Sequence, residues 1–476
     1  MTWTTEFHPQ HHCNRREAVL PGSTASSSLR STRLSRVQCP HTMGSNDQSS
    51  KGRSRRRLRD RQHQASHDQA LDPGDIPELP MVPRGTPDPI TEKSQLSHAI
   101  EHIRNAGLFA YDTEFIGEET YFPRLCLIQL STAEQLFLVD PLAIEDLDPI
   151  WELIADPDVQ TLVHAGQQDL EPVYRLMDAR ARNVVDTQIA AGFAGLPYPC
   201  SLNRLILAKC GATLGKGMTF THWDRRPLSA MQRRYAADDV RYLPLAWSRM
   251  KDELESLGHL DWMHDECEQL CDPDAFKTDY SSQLNRLQRN RVMKTSQRAM
   301  LHRLVKARDE AARSDDVPPR SLIADEIIMG LMKKKPDTSE ALADLPGMPK
   351  HVARHHGQAL LDAIQSDFMP ELPPAKPRLA DETVEQRVMI DSLWSAISST
   401  ALASGLAPPL LGSRAPFAQW CMDHEHESPL PLPELPGWRG EFLRTRLSEF
   451  MAGERTLQLG WQDGRLTLPD DASPQD

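Results

Sequence analysis

The chain has 476 residues and a formal net charge of −13 at pH 7, and it is long enough for several domains. The charge is uneven, because residues 1–70 contain 12 basic and 5 acidic side chains, whereas the rest contains 42 basic and 62 acidic ones. The acidic charge of residues 71–476 excludes binding of nucleic acid through overall positive charge. A polyanion would have to be held by bound metal and local basic patches.

The cysteine pattern and hydropathy indicate the compartment. The eight cysteines include no C-x-x-C pair, so we expect reduced thiols and a cytoplasmic protein. Cys267 and Cys271 are about one helical turn apart, and we interpret them as helix residues rather than metal ligands. No sequence run approaches the roughly 18 apolar residues of a membrane span, and the N-terminus lacks the apolar core of a signal peptide. We therefore expect no membrane partner.

The N-terminal region has almost no periodic apolar pattern. Residues 1–75 are rich in Ser, Arg, Gln and His, and such a segment buries too little surface to offset its ordering entropy, which predicts a disordered basic tail. Its arginine run at residues 51–61 is either an RNA-binding tail or a solvated extension. Met43 is an alternative start site. Residues 76–92 are proline-rich and predict a linker.

Residues 108–115, LFAYDTEF, place two acids inside an apolar run that is typical of a buried strand. Side chains alternate along a strand, so Asp112 and Glu114 share one face. Two carboxylates that close together must hold a proton or be neutralised by a cation, and hard divalent ions with oxygen ligands suit this role. The alternative is a solvated edge strand in which the D-x-E spacing is accidental.

Strands and helices alternate from residue 93 to residue 255. Further strands are predicted at 125–130, 136–139, 159–163 and 184–185, with helices at 147–154 and 168–177 between them. This order predicts an α/β domain with a mixed sheet flanked by helices. We interpret Asp186 as the N-cap of the next helix, and a site acid is the alternative.

A helical pattern from Met231 carries a second acidic position. Tyr235 and Asp239 are four residues apart and share one helix face, while Asp238 is turned about 100° away. The preceding loop, residues 215–228, contains a lysine, a tryptophan and two arginines, which suit a phosphate backbone and stacked bases. The substrate-binding candidates of this loop are Trp223, Arg225 and Arg226. Trp223 alternatively plugs the domain surface.

The C-terminal half is predicted to be helical. Residues 284–306 are basic, and the helical spacing of their apolar positions indicates a bundle core. Ser321 is the predicted N-cap of a helix whose C-terminal lysines complement the helix dipole. Residues 371–380 predict a second linker.

Five stretches resemble ribonuclease D, a family of the DEDD 3′–5′ exonuclease superfamily. They are DTEF at 112–115, YFPRLCLIQLS at 121–131, HAGQQDL at 164–170, LGKGMTFTHWDRRPL at 214–228 and YAADDVRYL at 235–243. The resemblance implies a ribonuclease H-like exonuclease domain over residues 93–260 and a connecting helical segment over 261–292. It further implies an all-α HRDC domain over 293–370, a divergent second HRDC-like domain over 381–455, and a tail at 456–476.

The resemblance also implies the chemistry. Two divalent ions, Mg²⁺ or Mn²⁺, would be held by four carboxylates and would hydrolyse RNA from its 3′-hydroxyl end, with nucleoside 5′-monophosphates as products. The ligands would be Asp112, Glu114, Asp169 and Asp239. Tyr235 would orient the attacking water, and Phe115 and His164 would add substrate contacts. The expected partners are tRNA precursors and other small structured RNAs with 3′ extensions, and no nucleotide cofactor is expected. The alternatives are a DNA 3′–5′ exonuclease and a non-catalytic RNA-binding scaffold.

Overall fold

The structure is a computed structural model that describes residues 76–215, 222–277, 280–289, 291–372, 382–454, 456, 458, 460–462 and 465–467. The predicted disordered tail and most of the second linker lie outside these ranges. Across the described ranges, every helix is too short or too polar to span a lipid bilayer.

The described N-terminal part forms a mixed sheet flanked by helices, as predicted. Its strands are β1 (Leu108–Ile116), β2 (Arg124–Ser131), β3 (Leu136–Val139), β4 (Gln160–Val163) and β5 (Val184–Asp186), in the order β3-β2-β1-β4-β5. β2 is antiparallel to β1 and β3, whereas β4 is parallel to β1 and β5. The helices are α1 (Lys93–Ala106), α2 (Asp148–Ala155), α3 (Glu171–Met177), α4 (Thr187–Phe193), α5 (Leu202–Cys210), α6 (Ala230–Arg241), α7 (Leu243–Leu257) and α8 (Leu260–Leu270).

The two faces of the sheet bury different side chains. Phe109 and Tyr111 of β1 pack with α1 and α2 in one core. Ala110 lies in the other core, with residues of α6 and α7. Asp112 and Glu114 follow Ala110 at spacings of two, so they lie on the face that α6 covers. The alternation of β1 therefore directs both acids toward the helix that carries Asp239.

Residues 76–92 are not the free linker that their proline content predicted. Ile76 and Val82 are buried, and Ile90 pairs with Val139 at the edge of the sheet. The guanidinium of Arg241 is fully buried and donates hydrogen bonds of 3.0 and 2.9 Å to the carbonyl oxygens of Pro83 and Gly85. Because a buried guanidinium needs acceptors, this segment is part of the domain.

A helical domain follows, with a core of its own. It comprises α9 (Ser281–Gln288), α10 (Thr295–Ser314), α11 (Pro319–Leu322), α12 (Asp325–Lys334), α13 (Ser339–Ala343), α14 (Lys350–His355) and α15 (Gly357–Gln365). The predicted connecting segment is divided, because α8 packs into the core of the α/β domain and α9 into that of the helical domain. The prediction for Ser321 is wrong: it lies inside α11, and Ala324 is the N-cap of α12.

The C-terminal helices α16 (Val384–Ala403), α17 (Arg414–Asp423) and α18 (Gly437–Met451) share a core with the α/β domain. The Trp438 ring lies 4.8 Å from that of Phe193, and the Arg439 guanidinium forms a 2.7 Å ion pair with Glu266 of α8. Within the predicted tail, β6 (Gly460–Gln462) pairs antiparallel with β7 (Arg465–Thr467). The identity of these helices as a second HRDC copy stays a prediction.

Candidate active site

Three acids from two elements meet in one cleft. Asp112 and Glu114 project from β1 and Asp239 from α6, and one carboxylate oxygen of each lies within 4.8 Å of the others. All three are partly buried. The cleft has a volume of about 280 Å³, and these acids, Tyr235 and His164 contribute to its lining. The strand alternation and the helical spacing thus bring together acids that are more than 100 residues apart.

Asp169 adjoins this group from the loop between β4 and α3. Its carboxylate accepts a short hydrogen bond from the Thr113 hydroxyl, and its backbone carbonyl accepts one of 2.9 Å from the Tyr111 hydroxyl. Its charge also raises the pKa of Asp112. Sequence reasoning missed Tyr111 and Thr113 because strand alternation turns both side chains away from the face that carries the two acids. Their position directly before and after Asp112 in the sequence was the available signal.

The loop that carries Asp169 is held by Asp186. The buried Asp186 carboxylate accepts hydrogen bonds from the backbone N–H groups of Ala165 at 3.0 Å and Gly166 at 3.1 Å. It also accepts one of 2.8 Å from Gln188, as the predicted N-cap of α4. Gly166 is required here, because a Cβ would lie 2.4 Å from the Val163 side chain. The capping interpretation is confirmed, and the same carboxylate also supports the site.

Burial and mutual repulsion disfavour the ionisation of all four acids at once unless a cation lies among them. Burial, followed by the neighbouring carboxylates, raises the pKa of Asp112 well above its usual range and that of Glu114 to about 8. Burial likewise raises the pKa of Asp169 to about 6 and that of Asp239 to about 7. A set of oxygen donors of this kind fits hard divalent cations.

Tyr235 supports Asp239 from one helical turn earlier. The Tyr235 hydroxyl forms a hydrogen bond with the Asp239 carboxylate, and burial together with the charge of Asp239 raises the Tyr235 pKa. The phenol therefore keeps its proton and acts as a donor. A capping box formed by Ser229 and Gln232 fixes the start of α6, so this turn is well defined.

His164 and Phe115 border the site in different ways. The His164 Nε2 atom lies 2.9 Å from the Cys200 carbonyl oxygen and Nδ1 lies 3.0 Å from the Thr187 hydroxyl, so Nε2 carries the proton in the neutral ring. Burial lowers the His164 pKa. His164 therefore lines the cleft with an uncharged imidazole ring. Phe115 is partly buried next to a β-bulge in the β1–β2 ladder, and its substrate contact stays a prediction.

The loop at residues 222–228 does not present all of its predicted substrate contacts. Trp223 is only 5% exposed, and its ring lies 6.2 Å from that of Tyr235, so it supports the site from within the core. Arg226 donates to the buried Asp140 carboxylate at 2.5 and 2.7 Å and to the Cys126 carbonyl oxygen at 2.7 Å. This geometry disfavours substrate contact for both residues. Arg225 is exposed and stays a candidate.

Comparisons with known proteins identify relatives of the α/β domain and of the helical domain that follows it. Residues 87–255 match the family model described as 3′–5′ exonuclease (DNA_pol_A_exo1), and residues 297–364 match that of the HRDC domain. The ribonuclease D of Escherichia coli K12 is 30% identical over 76% of this chain and 97% of its own length. That of Granulibacter bethesdensis is 32% identical over 74% and 90%, respectively.

A solved structure resembles this chain over most of its length. The crystal structure of Escherichia coli RNase D, described as an exoribonuclease involved in structured RNA processing, superposes with a TM-score of 0.59. It covers 76% of this chain and 98% of that one, at 29% sequence identity. The similarity therefore extends beyond the sheet to the helical part of the molecule.

Proposed function

This chain belongs to the ribonuclease D family of 3′–5′ exoribonucleases, and from that premise we propose that it trims the 3′ extensions of tRNA precursors and other small structured RNAs with two Mg²⁺ ions. The observation that carries the proposal is the convergence of the Asp112, Glu114 and Asp239 carboxylates within 4.8 Å of one another. We also propose a cytoplasmic location, which the six described cysteines support because all are free and buried.

Each site residue has a part in the proposed mechanism. Asp112 would contact both ions, Glu114 and Asp239 would hold one and Asp169 the other. Two such cations would neutralise the carboxylates and stabilise the attacking and leaving oxygens of the phosphodiester. Tyr235 orients the attacking water through its hydroxyl. Cleavage releases a nucleoside 5′-monophosphate and leaves a new 3′-hydroxyl end for the next round.

The test of the site compares two conservative changes of acids. Asp112→Asn should abolish divalent-dependent release of nucleotides from single-stranded RNA, because the amide cannot replace the shared carboxylate. Glu118→Gln removes an exposed acid two residues beyond β1 and should leave the rate unchanged. If Asp112→Asn retains the activity of Glu118→Gln, the assignment of the metal centre is wrong.

The substrate class needs a separate comparison. Full-length protein should be assayed with 3′-extended tRNA, unstructured RNA and single-stranded DNA of matched length, with Mg²⁺, with Mn²⁺ and with EDTA. We expect the highest kcat/KM on extended tRNA with Mg²⁺. Faster cleavage of DNA would contradict the proposed substrate, and binding of RNA without cleavage in either metal would indicate a scaffold.

A basic surface of the helical domain supports the preference for structured RNA. Arg289, Arg291 and Lys294 are exposed between α9 and α10, where they can contact a phosphate backbone.

Truncating the chain near residue 290 would be a poor test of this surface, because it would also remove α16–α18, which belong to the core of the nuclease domain. Replacing the three cations by alanine in the full chain should weaken binding of extended tRNA and lower its salt dependence. Unchanged affinity would remove this surface from the proposal.

A further inference from the structure

Gln129 lies beside the candidate metal centre, and its side-chain amide is unpaired among the residues that the structure describes. It is fully buried in β2, and neither its side-chain oxygen nor its nitrogen has a hydrogen-bond partner among the described residues. Burying an unsatisfied amide is unfavourable, and native proteins contain few such groups. A site of this kind calls for an explanation that the packing of the core does not supply.

The register of the sheet places Gln129 next to Asp112. The two residues are directly opposite each other in the antiparallel β1–β2 ladder, and Leu138 is the partner of Gln129 on β3. Directly opposite residues project to the same face with Cβ atoms about 4.5–5.5 Å apart. The Gln129 side chain therefore lies on the acid-bearing face, in the layer between the sheet and α6.

The other carboxylates show what Asp112 lacks. Asp169 accepts a hydrogen bond from the Thr113 hydroxyl, and Asp239 accepts one from the Tyr235 hydroxyl. Among the described residues, the hydrogen bond found for the Asp112 carboxylate comes from the backbone of Thr113, and none comes from a side chain. Carboxylates that bind metals are usually oriented by hydrogen bonds from outer groups. Within the described part of the chain, Asp112 is thus an acceptor without such a group, and the Gln129 amide opposite it is a donor without an acceptor.

We propose that Gln129 is a positioning residue of the metal centre, whose side-chain N–H donates a hydrogen bond to the Asp112 carboxylate when the divalent cations are bound. This inference rests on the proposed function, since it assigns a support to the carboxylate that would contact both ions. Gln129 does not touch the substrate. Its role is to fix the orientation of Asp112.

The experiment uses Gln129→Met in the full-length protein, because methionine matches the length of glutamine without its donor. Binding of Mn²⁺ is measured by titration calorimetry without RNA, and thermal unfolding is measured in EDTA. We expect an affinity about 10–100-fold weaker, the usual effect of removing an outer support of a ligand. The unfolding temperature in EDTA should be equal or higher, because no existing hydrogen bond is lost. Gln129→Leu should behave in the same way and serves if the methionine variant does not fold.

Thr161→Val is the matched control. The Thr161 hydroxyl is also buried and finds no partner among the described residues, and Thr161 is opposite Phe109, on the face away from the acids. This variant should bind Mn²⁺ like the wild-type protein. In steady-state kinetics, raising the Mn²⁺ concentration should restore the kcat of Gln129→Met, whereas a purely structural defect would persist at saturating metal.

Two results would overturn the inference: wild-type Mn²⁺ affinity in Gln129→Met, or a clear fall of its unfolding temperature in EDTA, which would show a core role. Asp112→Asn separates this failure from that of the proposed function. Loss of Mn²⁺ binding in Asp112→Asn together with wild-type behaviour of Gln129→Met would reject the role of Gln129 alone. Retained binding and activity in Asp112→Asn would reject the metal centre itself.

Discussion

The Tyr121 hydroxyl donates a 2.8 Å hydrogen bond to the Asp309 carboxylate and so joins the nuclease domain to the helical domain. Tyr121 lies in the loop that continues from β1, the strand of Asp112 and Glu114, and Asp309 lies in α10. The next residue, Phe122, has two guanidinium groups over its ring, at 4.5 Å from Arg175 and 5.3 Å from Arg313. The helical domain therefore holds the segment that extends directly from the catalytic strand.

Tyr121→Phe should weaken this connection without removing the ring. Loss of one hydrogen bond to the buried Asp309 carboxylate should lower the free energy of unfolding by about 1.5–3 kcal/mol. We expect a higher KM for 3′-extended tRNA and an unchanged kcat on a short oligonucleotide, because in the proposed function only the long substrate contacts both domains. Tyr280→Phe is the control, since that hydroxyl donates to the same carboxylate from within the helical domain. Equal effects of both changes on KM would show that the connection between domains is unimportant.

The stability of the metal-free protein should depend on pH in a specific direction. Burial raises the pKa of Asp169 to about 6, of Asp239 to about 7 and of Glu114 to about 8, whereas these groups titrate near pH 4 in an unfolded chain. Between about pH 4 and pH 8 the folded site therefore binds more protons than the unfolded chain. Its contribution to the free energy of unfolding is largest below this window and falls as the pH rises through it.

Urea denaturation in EDTA at several pH values measures how the free energy of unfolding falls with pH. With Mg²⁺ in place of EDTA this fall should be shallower, because bound cations replace the protons. Asp239→Asn is the informative comparison, since it removes one of the titrating groups. Its free energy of unfolding should decrease less between pH 5 and pH 8 than that of the wild-type protein. A wild-type slope equal to that of Asp239→Asn would mean that the site does not titrate as described.

Tyr235→Phe should lower kcat by at least about 100-fold while Mn²⁺ binding persists, because only the hydroxyl that we propose to orient the attacking water is lost. Single-turnover cleavage and calorimetry measure the two quantities separately. Tyr174→Phe removes a hydroxyl outside the residues that line the cleft and should have wild-type kinetics. An unchanged rate in Tyr235→Phe would remove the tyrosine from the mechanism.

Replacement by alanine should affect stability at Arg226 and RNA binding at the neighbouring Arg225. Arg226→Ala leaves the Asp140 carboxylate, 5% exposed, without its guanidinium, and should cost about 3–5 kcal/mol of stability. Arg225→Ala should change stability by no more than about 0.5 kcal/mol, but it should weaken RNA binding and reduce the salt slope by about one. If Arg225→Ala leaves both affinity and salt slope unchanged, neither arginine of this loop is a substrate contact.

Local periodicity predicted each half of the site but not how the halves meet or what supports them. The period of two along β1 placed Asp112 and Glu114 on one face, and the spacing of four along α6 placed Tyr235 and Asp239 on another. That the two faces meet was implied only by the resemblance to ribonuclease D. The role of Arg226 depends on Asp140, an acid 86 residues away that composition cannot connect to it. The packing of residues 76–92 depends in the same way on the buried Arg241, whose need for acceptors arises only in the folded chain.

Asp186→Asn tests the support of the loop that carries Asp169. The Asp186 carboxylate uses one oxygen for Ala165 and Gln188 and the other for Gly166, and an asparagine has only one acceptor oxygen. At least one buried N–H therefore loses its partner, which should cost about 1–3 kcal/mol, and kcat should fall because the loop no longer fixes Asp169. Chemical denaturation and saturating kinetics with Mg²⁺ measure both effects. Asp272→Asn is the matched control, because the exposed Asp272 caps the short 3-10 helix Pro273–Phe276. Among the described residues its carboxylate accepts one hydrogen bond, from the backbone N–H of Asp274, which asparagine can also accept. If the two variants are equally stable and equally active, Asp186 is only a helix cap.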